Sequence, residues 1–263
     1  MDLGIRDRVA LVAASSQGLG KAVAFGLARE GARLALCSRN AVAMEATAES
    51  IRHETGAQVF AAAADVTDEK QVRRFVEQTV ERFDRVDICV TNAGGPPAKP
   101  FDATTVEDWR RAIDLNLMST IFLAREVLPG MRDQGWGRLI TITSLTVKQP
   151  VDNLILSNSV RAAVVGLVKS LSNEYAPHNV LVNNVCPGYT ATDRLVDLST
   201  TLAKSAGVAT AEIEKRWTTQ IPLGRLGRPD EFADAVVFLC SERASYITGQ
   251  SILIDGGYAK GLL

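Results

Sequence analysis

Short runs of branched and aliphatic residues recur along the chain, separated by stretches whose apolar positions follow helical spacing. Segments 9–13, 33–38, 58–63, 87–91, 138–143, 181–186 and 251–254 read as strands. Several are nearly continuous apolar runs, as in Val9-Ala10-Leu11-Val12-Ala13, rather than alternating ones. Both faces of such a strand must be covered, which predicts parallel strands between layers of helix. Segments 18–30, 41–55, 69–83, 106–134, 158–175 and 229–239 carry the helical pattern. Regular alternation of strand and helix predicts an α/β fold. We expect one domain over residues 1–263, a doubly wound parallel sheet of about seven strands with helices on both faces.

The one long stretch without a regular pattern is 188–210, directly after a strand. In doubly wound sheets ligands bind outside the carboxyl ends of the strands. An irregular insertion there is expected to act as a substrate lid.

The 263 residues carry a net charge of −1, with 46% hydrophobic and 22% charged residues, an ordinary globular composition. The even charge argues against a nucleic-acid surface or a polybasic membrane patch. No apolar run approaches the roughly 18–20 residues a bilayer span needs. The first residues, Met1-Asp2-Leu3-Gly4, lack the apolar core of an export signal, so a cytoplasmic location is expected. Cys37, Cys89, Cys186 and Cys240 are widely spaced in apolar segments, which predicts free buried thiols. His53 and His178 have no ligand-spaced partners and read as surface residues, so no metal site is expected.

The first strand runs into Ala14-Ser15-Ser16-Gln17-Gly18-Leu19-Gly20, and a helix follows. A glycine-bearing turn at this place directs backbone N–H groups and the helix dipole toward a diphosphate. Gly18 lets the backbone approach a phosphate, and Gly20 permits close packing of helix on strand. The second strand ends at Ser38, followed by Arg39. A carboxylate there would hold a ribose 2′-hydroxyl and repel a 2′-phosphate, whereas a guanidinium binds the phosphate. The pair Ser38-Arg39 therefore favours NADP(H) over NAD(H), with a solvated capping arginine as the plain alternative.

These segments resemble the motifs of the short-chain dehydrogenase/reductase family along essentially the whole chain. The turn around Ser16, Gly18, Leu19 and Gly20 is similar to the family's TGxxxGxG loop, with Ala14 where its first glycine is expected. Asp65-Val66 resembles the acidic segment beside adenine, and Asn92-Ala93-Gly94 resembles the NAG motif. Asn116 and Ser144 resemble members of the catalytic tetrad. Pro187-Gly188 and Thr192 resemble the PGxxxT segment beside the nicotinamide. The tail Thr248-Gly249-Gln250 with Asp255-Gly256-Gly257 is similar to the 3-oxoacyl-[acyl-carrier protein] reductase branch. The resemblance implies a Rossmann-type fold and a homodimer or homotetramer. It also implies an oxidoreductase acting on a small-molecule carbonyl or alcohol, with a 3-oxoacyl thioester as one substrate class.

One motif departs from the family pattern. Thirteen residues after Ser144, where a tyrosine is expected, stands Ser157, and four residues on, in place of lysine, stands Arg161. A serine hydroxyl ionises far too weakly to replace a phenol, and arginine keeps its proton. Ser157 and Arg161 share a helix face, so Arg161 is expected to clamp ribose hydroxyls or stabilise a developing alkoxide. Lys148 and Tyr189 are candidate substitute proton donors, read more plainly as a solvated lysine and an aromatic wall beside the nicotinamide. Asn153 and Asn158 are candidates to order a relay water. Three functions follow: an NADP(H)-dependent oxidoreductase with a modified proton path, a non-catalytic dinucleotide-binding sensor or partner subunit, or a lyase or isomerase using the cleft without net hydride transfer.

Overall fold

The computed structural model describes residues 1–262. Seven parallel strands form one sheet in the order β3-β2-β1-β4-β5-β6-β7. They are β1 (Val9–Ala13), β2 (Arg33–Ser38), β3 (Val59–Ala63), β4 (Ile88–Thr91), β5 (Gly137–Ile142), β6 (Val180–Pro187) and β7 (Ser251–Ile254). The strand order reverses between β1 and β4. The connecting chain leaves these two neighbours in opposite directions and opens a crevice at their carboxyl ends.

Two apolar layers hold the sheet. Along β1, Ala10 and Val12 pack on one side with Val23, Leu27, Met44, Ile51, Phe232 and Val236. Leu11 and Ala13 pack on the other with Phe75, Leu123, Leu128, Val164 and Val182. Alternate residues feed opposite layers, which is why the strands read as unbroken apolar runs. Each fully buried aliphatic side chain contributes about 1.5–3 kcal/mol. The first layer is built by α1 (Gly18–Arg29), α2 (Ala41–Thr55) and α9 (Pro229–Leu239). The second is built by α3 (Glu69–Phe83), α5 (Ser119–Gln134) and α6 (Ile155–Tyr175). The four cysteines are free and buried, and both histidines lie on the surface. No helix among the described residues is long and apolar enough to cross a membrane.

Two expectations change. The segment 106–134 is not one helix: α4 (Val106–Ile113) and α5 are joined by a five-residue π turn, Asp114–Met118. The wider turn buries Asn116, whose polar side chain would otherwise interrupt an amphipathic face. The segment 188–210 is not irregular. It contains α7 (Asp193–Ala206), opened by Thr192 and closed by Gly207 at φ +66°, and is followed by α8 (Thr210–Gln220). Serine, threonine, aspartate and lysine dilute the apolar period of α7, but Leu195, Leu198 and Leu202 still fall on one face. That face packs with Tyr189, Ile213, Trp217 and Tyr258 in a small apolar cluster separate from the main layers.

Candidate active site

The bend between β1 and α1 carries no charged side chain and is shaped by backbone. Ala14 sits at φ +48°, a left-handed conformation that costs a residue with a Cβ about 1–2 kcal/mol. Asn92 Nδ2 donates to Ala14 O at 3.2 Å, and Thr47 Oγ1 donates to Ser16 O at 3.0 Å. A Cβ on Gly20 would come within 2.6 Å of Ala14 O and 2.8 Å of Asn92 Nδ2. Glycine is therefore required for the helix to pass beneath the bend, and Gly20 does not itself line the cleft. Gly18, at φ +58°, faces the Thr192 side chain. The Gln17 side chain makes no cap to α1, and the first turn holds no acidic residue. The leading N–H groups of α1 thus lack side-chain acceptors at the end of the helix that attracts an anion.

Beside this bend, Ser38 Oγ donates to Asn40 O, and the exposed Arg39 has no hydrogen bond or ion pair among the described residues. Asp65 Oδ1 accepts from Thr67 N and Oγ1, which fixes the turn before α3.

The other end of the cleft follows β5. Ser144 opens a short 3₁₀ turn, and its Oγ accepts from Thr146 N at 3.2 Å. Thr146 Oγ1 and Ser157 Oγ lie 3.2 Å apart, both buried. One helical turn on, Arg161 Nη1 donates to Ile142 O at 3.2 Å and Thr143 O at 2.7 Å, and Nη2 donates to Gly94 O at 3.3 Å. Gly94 O also accepts from Asn116 Nδ2 at 2.9 Å. Asn116 lies behind the cleft wall rather than in it. Arg161 is 7% exposed and meets no carboxylate among the described ion pairs. Burial, with the nearby charge of Arg194 adding to it, lowers its pKa to about 10, so it stays cationic at neutral pH.

The substitute proton donors fare differently. Lys148 is exposed. Tyr189 stacks on Trp217 with ring centroids 4.7 Å apart and meets Tyr258 edge-on at 5.1 Å. Burial pushes its phenol well above the ordinary range, and it serves as an aromatic wall. Asn158 is not available to hold a relay water: its Oδ1 accepts from Val151 N and its Nδ2 donates to Val151 O, tying down the loop before α6. Asn153, at φ +60° and exposed, shapes the same loop.

These elements enclose one cavity of about 500 Å³. Ser16, Gly18, Leu19, Ser38, Arg39, Asp65, Val66, Asn92, Ala93 and Gly94 line it toward β1–β4. Ser144, Ser157, Arg161, Pro187, Gly188 and Thr192 line it toward β5–β6. Sequence reasoning missed Thr146 and the α7 residues Arg194, Leu195 and Leu198. The cues for α7 were Thr192-Asp193 at its start and Gly207 at its end. The components of a dinucleotide fit: a polar backbone bend for a diphosphate, an unpaired guanidinium beside it, and an enclosed, partly apolar far end. Among the described residues no cluster of His, Cys, Asp or Glu suits a metal ion.

Known proteins share this arrangement. The family described as enoyl-(acyl carrier protein) reductase matches residues 13–259. The 3-oxoacyl-[acyl-carrier-protein] reductase of Aquifex aeolicus is 34% identical over 98% of this chain and 99% of its own length. Among solved structures, L-sorbose reductase from Gluconobacter frateurii, complexed with NADPH and L-sorbose, superposes with a TM-score of 0.94. It is 33% identical and covers 100% of both chains. A 7 alpha-hydroxysteroid dehydrogenase complexed with NADH and 7-oxo glycochenodeoxycholic acid superposes with a TM-score of 0.90 at 33% identity. It covers 100% of this chain and 98% of the other. With a family match over most of its length and relatives of this identity along the whole chain, the protein belongs to the short-chain dehydrogenase/reductase family of oxidoreductases.

Proposed function

We propose that the protein is an NADP(H)-dependent oxidoreductase that interconverts a carbonyl and an alcohol through a proton path without a phenol. The observation that carries the reading is a single cleft joining the bend before α1 and Arg39 to Ser144, Ser157 and Arg161. The first N–H groups of α1, with Ser16, Gly18 and Leu19, hold the diphosphate. Arg39 and Ser38 hold the 2′-phosphate, since no carboxylate ends β2 to repel it. Asp65 and Val66 flank the adenine. Asn92, Ala93 and Gly94 line the floor, and Pro187, Gly188 and Thr192 flank the nicotinamide. When bound, the dinucleotide supplies or accepts the hydride.

The chain's own residues do the rest. Ser144 donates its hydroxyl to the substrate oxygen. Arg161 has three donor contacts committed to carbonyls and acts chiefly through its field, which stabilises negative charge on that oxygen. Ser157 and Thr146 relay a proton from solvent, because neither hydroxyl is acidic enough to be its source. Asn116 positions this end by holding Gly94. Orientation of two bound reactants supplies about 7–11 kcal/mol, so turnover survives the loss of a dedicated general acid worth about 10²–10⁴-fold. Residues 188–210, including α7, act as the lid. Relatives named for 3-oxoacyl and sorbose reduction support a carbonyl substrate, and a 3-oxoacyl thioester is the first class to try.

Exposed Ala162, Ala163 and Gly166 give α6 a flat apolar outer face suited to a second copy, supporting a homodimer or homotetramer. The test of function is NADPH oxidation against a panel of ketones and 3-oxoacyl thioesters. Turnover above a heat-killed control is expected. Firm NADPH binding with no turnover on any substrate would instead support a dinucleotide-binding sensor or partner subunit.

A further inference from the structure

Two guanidinium groups face the reactive end of the cleft, and neither forms an ion pair among the described residues. Arg161 is more than nine-tenths buried and meets only backbone carbonyls. Arg194, on α7, reaches across the cleft to the segment after β4. Its Nη2 donates to Pro96 O at 2.8 Å. Its guanidinium lies so close over Gly95 that a Cβ there would fall 2.8 Å from Nη2 and 3.0 Å from Nε. Gly95 is thus the residue that lets this cation lie flat against the cleft wall. Two carboxylates on the same helix, Asp193 and Asp197, also line the cleft, but neither comes within ion-pair distance of Arg194. Burial lowers the pKa of both groups; the charge of Arg194 adds to the shift at Arg161, whereas Asp197 opposes the shift at Arg194. Unlike-sign company for a buried cation is the rule, and its absence at Arg161, with the exposed Arg194 lining the same cleft, points to a ligand that brings the charge.

Arg161 stands apart from the place of the dinucleotide diphosphate. The diphosphate has the bend at Gly18 and the α1 N-terminus, whereas Arg161 is tied to the end of β5 beside Ser144 and Ser157. We propose that the substrate bears a carboxylate near its carbonyl, held by Arg194 and drawn in by the positive field of Arg161. The inference rests on the oxidoreductase reading for the reaction, but the anion site can be tested apart from it. Arg194 keeps several donors beyond its contact with Pro96, enough for two-point binding of a carboxylate. Leu195 and Leu198 beside it give an apolar wall for the rest of a medium-length acid.

The experiment compares medium-chain 2-oxo and 4-oxo carboxylates with their methyl esters as substrates of the intact protein with NADPH. The acids are expected to exceed the esters in kcat/KM by at least about tenfold, through KM. Arg194→Gln should reduce that ratio by about tenfold, and Arg194→Lys should restore part of it. Equal use of acid and ester overturns the proposal. So does a fall in NADPH affinity by Arg194→Gln as large as the loss with the acid, because the guanidinium then serves the diphosphate. If nothing is turned over, calorimetry of the NADPH-bound protein with the same acids and esters decides. Binding of an acid but not its ester, lost in Arg194→Gln, supports the anion site while the oxidoreductase reading fails. No acid-selective binding overturns the anion site as well. Retained NADPH affinity shows that Arg194→Gln is folded.

Discussion

Thr146 Oγ1 and Ser157 Oγ face each other at 3.2 Å behind Ser144, so two hydroxyls occupy the place where this family resemblance leads one to expect a phenol. The pair is buried and neither member carries charge. It can pass a proton but cannot supply one at neutral pH.

Restoring a phenol and an ammonium should therefore raise the chemical rate. Ser157→Tyr combined with Arg161→Lys is expected to increase kcat by about 10²-fold or more with a substrate the protein already turns over. Either change alone should gain less, since a phenol needs a nearby cation that can approach it. Single-turnover reduction measured by stopped flow distinguishes a faster chemical step from faster product release. An unchanged single-turnover rate would show that proton supply does not limit the reaction.

Arg161 holds three carbonyls that belong to two different segments, Gly94 and the end of β5. Arg161→Ala removes the guanidinium from all three carbonyls, leaving Gly94 O its bond from Asn116, while relieving a buried charge. The net loss is expected to be about 2–3 kcal/mol, read by chemical denaturation. Arg161→Lys should lose about half as much. A variant as stable as the parent would mean that the buried charge costs as much as its hydrogen bonds contribute.

Arg39 is exposed and makes no hydrogen bond or ion pair among the described residues, so its removal should not disturb the fold. Arg39→Ala is expected to weaken NADPH binding by about 10–100-fold and leave NADH binding within about twofold, measured by calorimetry. Parallel weakening of both dinucleotides would remove the 2′-phosphate from its role.

Acid stability should depend on two surface carboxylates at helix starts. Lys99 and the Thr105 backbone hold Asp108 down to about 2, and Arg225 and the Arg228 backbone hold Glu231 down to about 2. Both folded values lie below the ordinary ones. Their stabilisation is therefore present above the ordinary carboxylate range and is lost as pH falls through about 2. Asp108→Asn combined with Glu231→Gln should flatten the acid limb of a stability-against-pH curve between pH ~4.5 and ~2. If the limb keeps its slope, other carboxylates carry it.

Much of this architecture was legible from the chain because the strands are apolar on both sides and the helices between them are amphipathic. Val9–Ala13 and the turn after it announced both a buried strand and a nucleotide-binding bend. The lid helix α7 was hidden because Ser199, Thr200 and Thr201 interrupt its apolar spacing, and these residue types favour loops in isolation. Thr146 lay two residues from a serine already singled out. Its pairing with Ser157 depends on the 3₁₀ turn that brings a hydroxyl from the end of β5 to the first turn of α6. The helix face shared by Ser157 and Arg161 could be read from their spacing of four. The carbonyl ties of Arg161 could not, since Gly94 is 67 residues away in the chain. A departure from a familiar motif is visible in letters, but what fills the space depends on neighbours brought together by folding.

The Gly94 carbonyl accepts from both Asn116 and Arg161, and two residues earlier Asn92 grips Ala14 at the bend before α1. This short length of backbone is held by hydrogen bonds from Asn116 and Arg161 at one end and to Ala14 at the other. Seating a dinucleotide on the bend would stiffen the tether, and the tension would be transmitted to the guanidinium beside Ser144. Such mechanical linkage favours a compulsory sequence of events, with the dinucleotide arriving first and the carbonyl compound entering a pocket already drawn into shape.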